Sequence, residues 1–239
     1  TDVAKSKNAC SNGPAALIAA RLYRFYDQAK ASKGKPKEEY LNEAKKIYHW
    51  LKATLFNPET GAVADNIARN GRKNWRWLFT YNQGTFLGAA HELYLITGDD
   101  TYLQDMLPVY DYYAPPGYVY CWNDMWNGVG LLMGRISEIY KSGKTYTEAE
   151  NPLGQCDLAI EYMKAAGKNP YEEINFWAMC AKAYNGYMAG SPGTITPQGY
   201  FWLNTWGSCR YNTAVQFCML VYDKYTGGKD YYDTSHKDY

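Results

Sequence analysis

Apolar residues recur three and four positions apart along most of this chain, the spacing of one face of an α-helix. Leu17, Ile18, Leu22, Phe25 and Tyr26 form the first such stripe. It opens at Asn12-Gly13-Pro14, where a capping carboxamide followed by proline suits a helix start. A second stripe, Tyr40, Leu41, Ala44, Ile47, Tyr48 and Leu51, predicts a helix over about 37–55, closed by Asn57-Pro58-Glu59-Thr60-Gly61. A third is predicted over 83–97. Gly98-Asp99-Asp100 then turns into a fourth reaching about Tyr113, in which Pro108 imposes a kink. Beyond Pro115-Pro116-Gly117, helices are expected over about 124–140, 153–166, 171–188 and 208–225. Strand signals are weak and confined to residues 118–122 and 200–203, as arms of short hairpins.

About eight helices with short links, and a recurring small-residue turn followed by Asp, Tyr and Leu (97–103), predict stacked helical hairpins. The fold class expected is all-α, an α/α toroid or partial α/α barrel. No low-complexity linker divides the 239 residues, so one domain is expected over 1–239. A net charge of +1 supplies no field for nucleic acid, and no apolar run is long enough to cross a bilayer. Six cysteines lie without a C-x-x-C pair and three histidines are dispersed, so neither a metal nor another cofactor is expected. Cysteines within apolar helical runs are expected as free thiols. A monomer is expected, in a secreted or cell-surface location.

Aromatic residues change the picture. They make up 17% of the chain, with 25 Tyr and 8 Trp. Tyrosine in helical stripes fits a core, as do Trp50 and Trp177. Other indoles fall in loops or at helix starts, above all in Asn74-Trp75-Arg76-Trp77 and Thr80-Tyr81-Asn82-Gln83-Gly84. Aromatic faces stack on the C–H faces of sugar rings, and carboxamides offer both donor and acceptor to hydroxyls. Buried amides must find partners, so adjacent amides suit a wet cleft better than a core. The cluster points to carbohydrate as the partner. Trp75, Trp77, Tyr81, Asn82, Gln83, Trp122, Trp126 and Trp206 are the candidate binding residues, and Arg210 is added to bind a hydroxyl, orient a carboxylate or tie down its loop.

Glycoside hydrolysis normally needs two carboxyl groups. Asp124, in Trp122-Asn123-Asp124-Met125-Trp126, is the better single candidate, with helix N-capping as its alternative. Asp65 lies in a loop suited to hydrogen bonding of substrate. Asp99-Asp100 reads as a cap, and Glu172 and Glu173 as acids favouring a helix dipole.

Residues 7–14, Arg21-Leu22-Tyr23, the helix through Trp50, Ala64-Asp65-Asn66 and Thr80-Tyr81-Asn82-Gln83-Gly84 together resemble the second half of glycoside hydrolase family 76 over about 7–107. That family comprises endo-acting α-1,6-mannanases and related fungal cell-wall proteins, and the resemblance sets Asp65 where it has an aspartate beside the cleft. Residues 196–200, 206–212 and 220–222 resemble, more patchily, the family 9 endoglucanases over about 118–226. Both families are α/α barrels acting on polysaccharides. The resemblance implies endo-cleavage of α-1,6-mannan, with Asp124 and Asp65 as the catalytic candidates. The alternatives are a catalytically inactive carbohydrate-binding or structural toroid, and a β-1,4-glucan endohydrolase. The adjacent catalytic aspartates of family 76 lie in a Tyr-Asp-Asp context upstream of the matching segment, and Asn123 stands where one of them would fall if residues 120–124 took that place.

Overall fold

The computed structural model describes residues 6–29, 34–105, 119–121, 124–143, 167 and 169–227. Two compact units divide the chain at Tyr113 and Ala114.

The first unit is built on three helices, α1 (Ala9–Arg24), α2 (Lys37–Thr54) and α3 (Thr80–Thr97), with α1 packed against both others. The second stripe is realised as read: α2 buries Leu41, Ala44, Tyr48 and Leu51. Helix α1 departs from expectation in both start and face. Strand β1 (Ser6–Asn8) pairs antiparallel with β2 (Asn66–Ala68), and Ala9 N donates to Asp65 O, which draws the helix start back to Ala9. Pro14 therefore lies inside the helix, and Asn12 is no cap but donates its side-chain amide to Asn8 O. The buried residues are Ala9, Gly13, Ala16, Ala19 and Ala20, whereas Ile18 is 57% exposed. Small side chains are buried because the helices approach closely: a Cβ on Gly13 would collide with Thr85 of α3. The core then fills with larger groups from α2 and α3, where the Phe86 ring stacks on Tyr48 at 5.0 Å and on Phe56 at 4.7 Å.

Gly98 closes α3 at φ 67°, a left-handed conformation that glycine adopts without a Cβ penalty. Asp100 is the N-cap position of the short α4 (Thr101–Gln104), without a capping bond from its own side chain, and Asp99 Oδ1 accepts from Thr101 N. The continuation of that helix, with Pro108, lies outside the described residues, as does the helix expected over 153–166.

The second unit contains α5 (Trp126–Lys141), α6 (Pro170–Glu173), α7 (Phe176–Met188), a hairpin of β3 (Thr194–Ile195) and β4 (Phe201–Trp202), and α8 (Ser208–Thr226). The hairpin arm expected near 200–203 is present as β4, and residues 118 and 122 of the other expected arm fall outside the described residues. One helix was expected over 171–188; it is divided, because Asn175 Oδ1 accepts from Ala178 N and caps a new helix. Tyrosines dominate this core: Tyr184, Tyr187, Tyr211 and Tyr222 are buried with Cys180 and Cys218, both free thiols. Burial pushes each of those thiols up to about 12.

Candidate functional site

The mouth of α3 in the first unit gathers most of the expected binding residues. Trp77, Phe79 and Tyr81 form an aromatic ladder, with ring centroids 6.0 Å and 5.2 Å apart on successive steps. Trp77 is 52% exposed, and Trp75 is exposed beside it in sequence. Burial first, and then the neighbouring Asp65 and Cys10, push the Tyr81 phenol up to about 12, so at neutral pH it remains a hydroxyl able to donate.

Asp65 occupies the loop that leads into β2. Its backbone is held on both sides: the N–H donates to Asn74 O at 3.0 Å, and the carbonyl accepts from Ala9 N at 2.8 Å. Its carboxylate is held as well. Asn66 Nδ2 donates to Oδ2 at 2.7 Å, and Asn82 Nδ2 donates to Oδ1 at 3.2 Å.

The adjacent amides Asn82 and Gln83 are placed otherwise than a wet cleft would require. Gln83 is 2% exposed, its Oε1 accepts from Val63 N at 2.7 Å, and its Nε2 donates to Val63 O at 3.0 Å. That reciprocal pair replaces a strand partner for Val63 and fixes the loop two residues before Asp65. Asn82 is also buried. Both face the loop rather than solvent, because the start of α3 packs on residues 63–65. Sequence reasoning missed Asn66, which adjoins Asp65, and Phe79, which lies two positions from both Trp77 and Tyr81.

In the second unit, Asp124 Oδ1 accepts from Trp126 N at 3.1 Å at the start of α5, and Cys121 N donates to Asp124 O at 2.9 Å. Burial raises the Asp124 carboxyl above the usual range, and the Trp126 N–H opposes part of that rise. The carboxylate thus binds the first N–H of the helix from one residue ahead of its N-cap, Met125, and the carboxyl is also desolvated. Trp126 is half-buried, and Trp122 and Asn123 lie outside the described residues. Trp206 is 64% exposed, and the Arg210 guanidinium lies 4.6 Å from its ring centroid and 4.9 Å from that of Tyr211. Arg210 thereby braces the start of α8, as its loop-tying alternative proposed.

Two buried carboxylates in the first unit escaped notice. Glu92 accepts from Arg21 Nε at 2.9 Å and from Arg24 Nη1 at 2.5 Å, tying α3 to α1. Asp105 accepts from the Tyr48 hydroxyl at 2.5 Å and pairs with Lys52 Nζ at 2.7 Å. Both join core elements. Among the described residues, no group of three or more His, Cys, Asp or Glu side chains is arranged to hold a metal.

The site at the mouth of α3, one acceptor carboxylate beside an exposed aromatic ladder and a phenol, suits recognition of a sugar chain. Residues 2–113 match the model of Glycosyl hydrolase family 76. The matched segment thus coincides with the first compact unit and contains Asp65, Asn82 and the ladder. The mannan endo-1,6-alpha-mannosidase DCW1 of Saccharomyces cerevisiae is 33% identical over 98 residues, which are 39% of this chain and 20% of that protein. The GH76A alpha-1,6-mannanase from Salegentibacter sp. HEL1_6 is 30% identical at a TM-score of 0.49, over 94% of this chain and 61% of that one. The catalytic domain of Clostridium thermocellum CelT is 28% identical at a TM-score of 0.46, over 92% and 40%. This chain therefore spans a fifth of the curated relative's length and less than two thirds of the solved mannanase's.

Proposed function

We propose that this chain recognises α-1,6-linked mannan and cleaves it internally, with Asp65 as the carboxylate that meets the substrate. The observation that carries this reading is a carboxylate held by two amides beside an exposed aromatic ladder, inside the segment that matches family 76. Sugar rings stack on Trp77 and Phe79, hydroxyls donate to the free lone pairs of Asp65, and the Tyr81 hydroxyl donates in turn. Both Asp65 oxygens already accept amide N–H groups, which fits the role of acceptor, whether as base or nucleophile, rather than that of acid. A polysaccharide too large to cross a membrane is met outside the cell, so a secreted or cell-surface monomer is part of the same proposal.

One observation favours a second reading, a carbohydrate-binding unit without turnover. Among the described carboxylates of the first unit only Asp65 stands at the ladder, while Glu92 and Asp105 are engaged between core elements. Hydrolysis through two carboxyl groups needs a second one at the same bond.

The test is incubation of the purified chain with α-1,6-mannan and, separately, a soluble β-1,4-glucan, following new reducing ends. Release from mannan alone is expected. Release from glucan alone transfers the reading to the glucanase alternative. Silence on both, with mannotetraose still quenching tryptophan fluorescence, leaves the binding unit.

A further inference from the structure

We infer that Asn82 is a positioning residue that sets the Asp65 carboxylate, an assignment that rests on the role proposed above for Asp65. Asn82 is 1% exposed, and the only hydrogen bond of its side chain among the described residues runs from Nδ2 to Asp65 Oδ1. Its own Oδ1 is buried without a partner there. Turning the amide over would set that oxygen against Asp65 Oδ1, acceptor against acceptor, so the carboxylate dictates the orientation and the orphaned oxygen is its consequence. A buried acceptor without a donor weakens the fold, and an apolar side chain of the same size would suit this core position better. The residue therefore makes sense through Asp65 and not through packing.

Its neighbour shows the contrast. Gln83 fixes the backbone of the loop at Val63 and has no contact with the carboxylate, whereas Asn82 acts on the carboxylate alone. With Asn66 on Oδ2 and Asn82 on Oδ1, rotation of the carboxylate about its terminal bond would break two hydrogen bonds. Each oxygen retains capacity to accept a further donor. A group held in this way needs no reorganisation when substrate arrives.

Three variants test it: Asn82→Leu, which keeps the branched shape and removes both the donor and the orphaned acceptor; Asn82→Ala, in case the larger leucine fits badly; and the exchange Asp65→Asn with Asn82→Asp, which keeps an amide-to-carboxylate bond but moves the charge. On α-1,6-mannan, Asn82→Leu is expected to fold with a melting temperature at or above that of the parent. Its kcat should fall roughly ten- to hundredfold, with KM within about twofold. The exchange is expected to melt near the parent and to remain inactive. A parent-like kcat in folded Asn82→Leu or Asn82→Ala overturns the inference alone. So does a lowered rate explained wholly by a smaller folded fraction, or an active exchange variant. A parent protein that neither cleaves nor binds mannan overturns the proposed function, and the inference falls with it.

Discussion

Asp65 and Gln83 show how residue type and residue role came apart at this site. Two neighbouring amides read in sequence as groups for sugar hydroxyls, because buried amides need partners. The partners exist, and they are the backbone of Val63 and the carboxylate of Asp65. No periodicity signals a contact across twenty residues of chain, so this clamp was not legible. Gln83→Leu leaves the Val63 N–H and carbonyl unsatisfied, and a loss of about 1–3 kcal/mol is expected, read as a lower urea midpoint. Asp124 differs, since its carboxylate accepts from Trp126 N at the start of α5. Because asparagine caps as well as aspartate, Asp124→Asn is expected to melt like the parent, and Asp124→Ala to lose about 1 kcal/mol. The sequence reading also has Asp124→Asn lose turnover, and retained turnover in that folded variant removes Asp124 from the chemistry.

At the scale of elements, α2 could be read directly because its large apolar residues are the ones it buries. Helix α1 could not, because its buried face consists of Ala16, Ala20 and Gly13, which carry little hydrophobic weight, while its bulky Ile18 points outward. Close approach selects small residues, and a pattern built on size misses them. Gly13, read as part of the helix start, is the point where α1 meets α3 at Thr85. Gly13→Ala is expected to destabilise by about 1–3 kcal/mol through overpacking. Thr85→Ala in the same chain should recover part of that loss in thermal unfolding, which a simple helix-propensity effect would not allow. The two-residue strands and β1 escaped or nearly escaped notice, since three residues hold no usable alternation.

For the molecule as a whole, the tyrosine-rich cores have a consequence for alkaline stability. Burial raises Tyr48, Tyr184, Tyr187, Cys180 and Cys218 in the folded state, the two thiols from 9.0 to about 12. A group raised on folding contributes stability that is complete below its unfolded value and is lost as pH rises through its folded one. Between about pH 9 and 12 the unfolded chain ionises these groups first, each giving a slope of about 1.4 kcal/mol per pH unit. The urea midpoint is expected to hold up to about pH 8.5 and then to fall steeply. Replacing both Cys180 and Cys218 by alanine should flatten the start of that fall, and an unchanged profile would mean that the thiols ionise within the fold. One domain over 1–239, as the lack of a linker suggests, predicts a single calorimetric transition, and two separate transitions would contradict it. The family 76 match ends where the first unit ends, so the site and its resemblance were legible in the same stretch of chain.

The most direct measurement is the rate of reducing-end release from α-1,6-mannan by the parent chain and by Asp65→Asn, prepared and assayed side by side. Measurable release by the parent and a loss of at least about a hundredfold in a folded Asp65→Asn variant is the predicted result. Equal rates in the two proteins would contradict the assignment of Asp65, and with it the site at the mouth of α3.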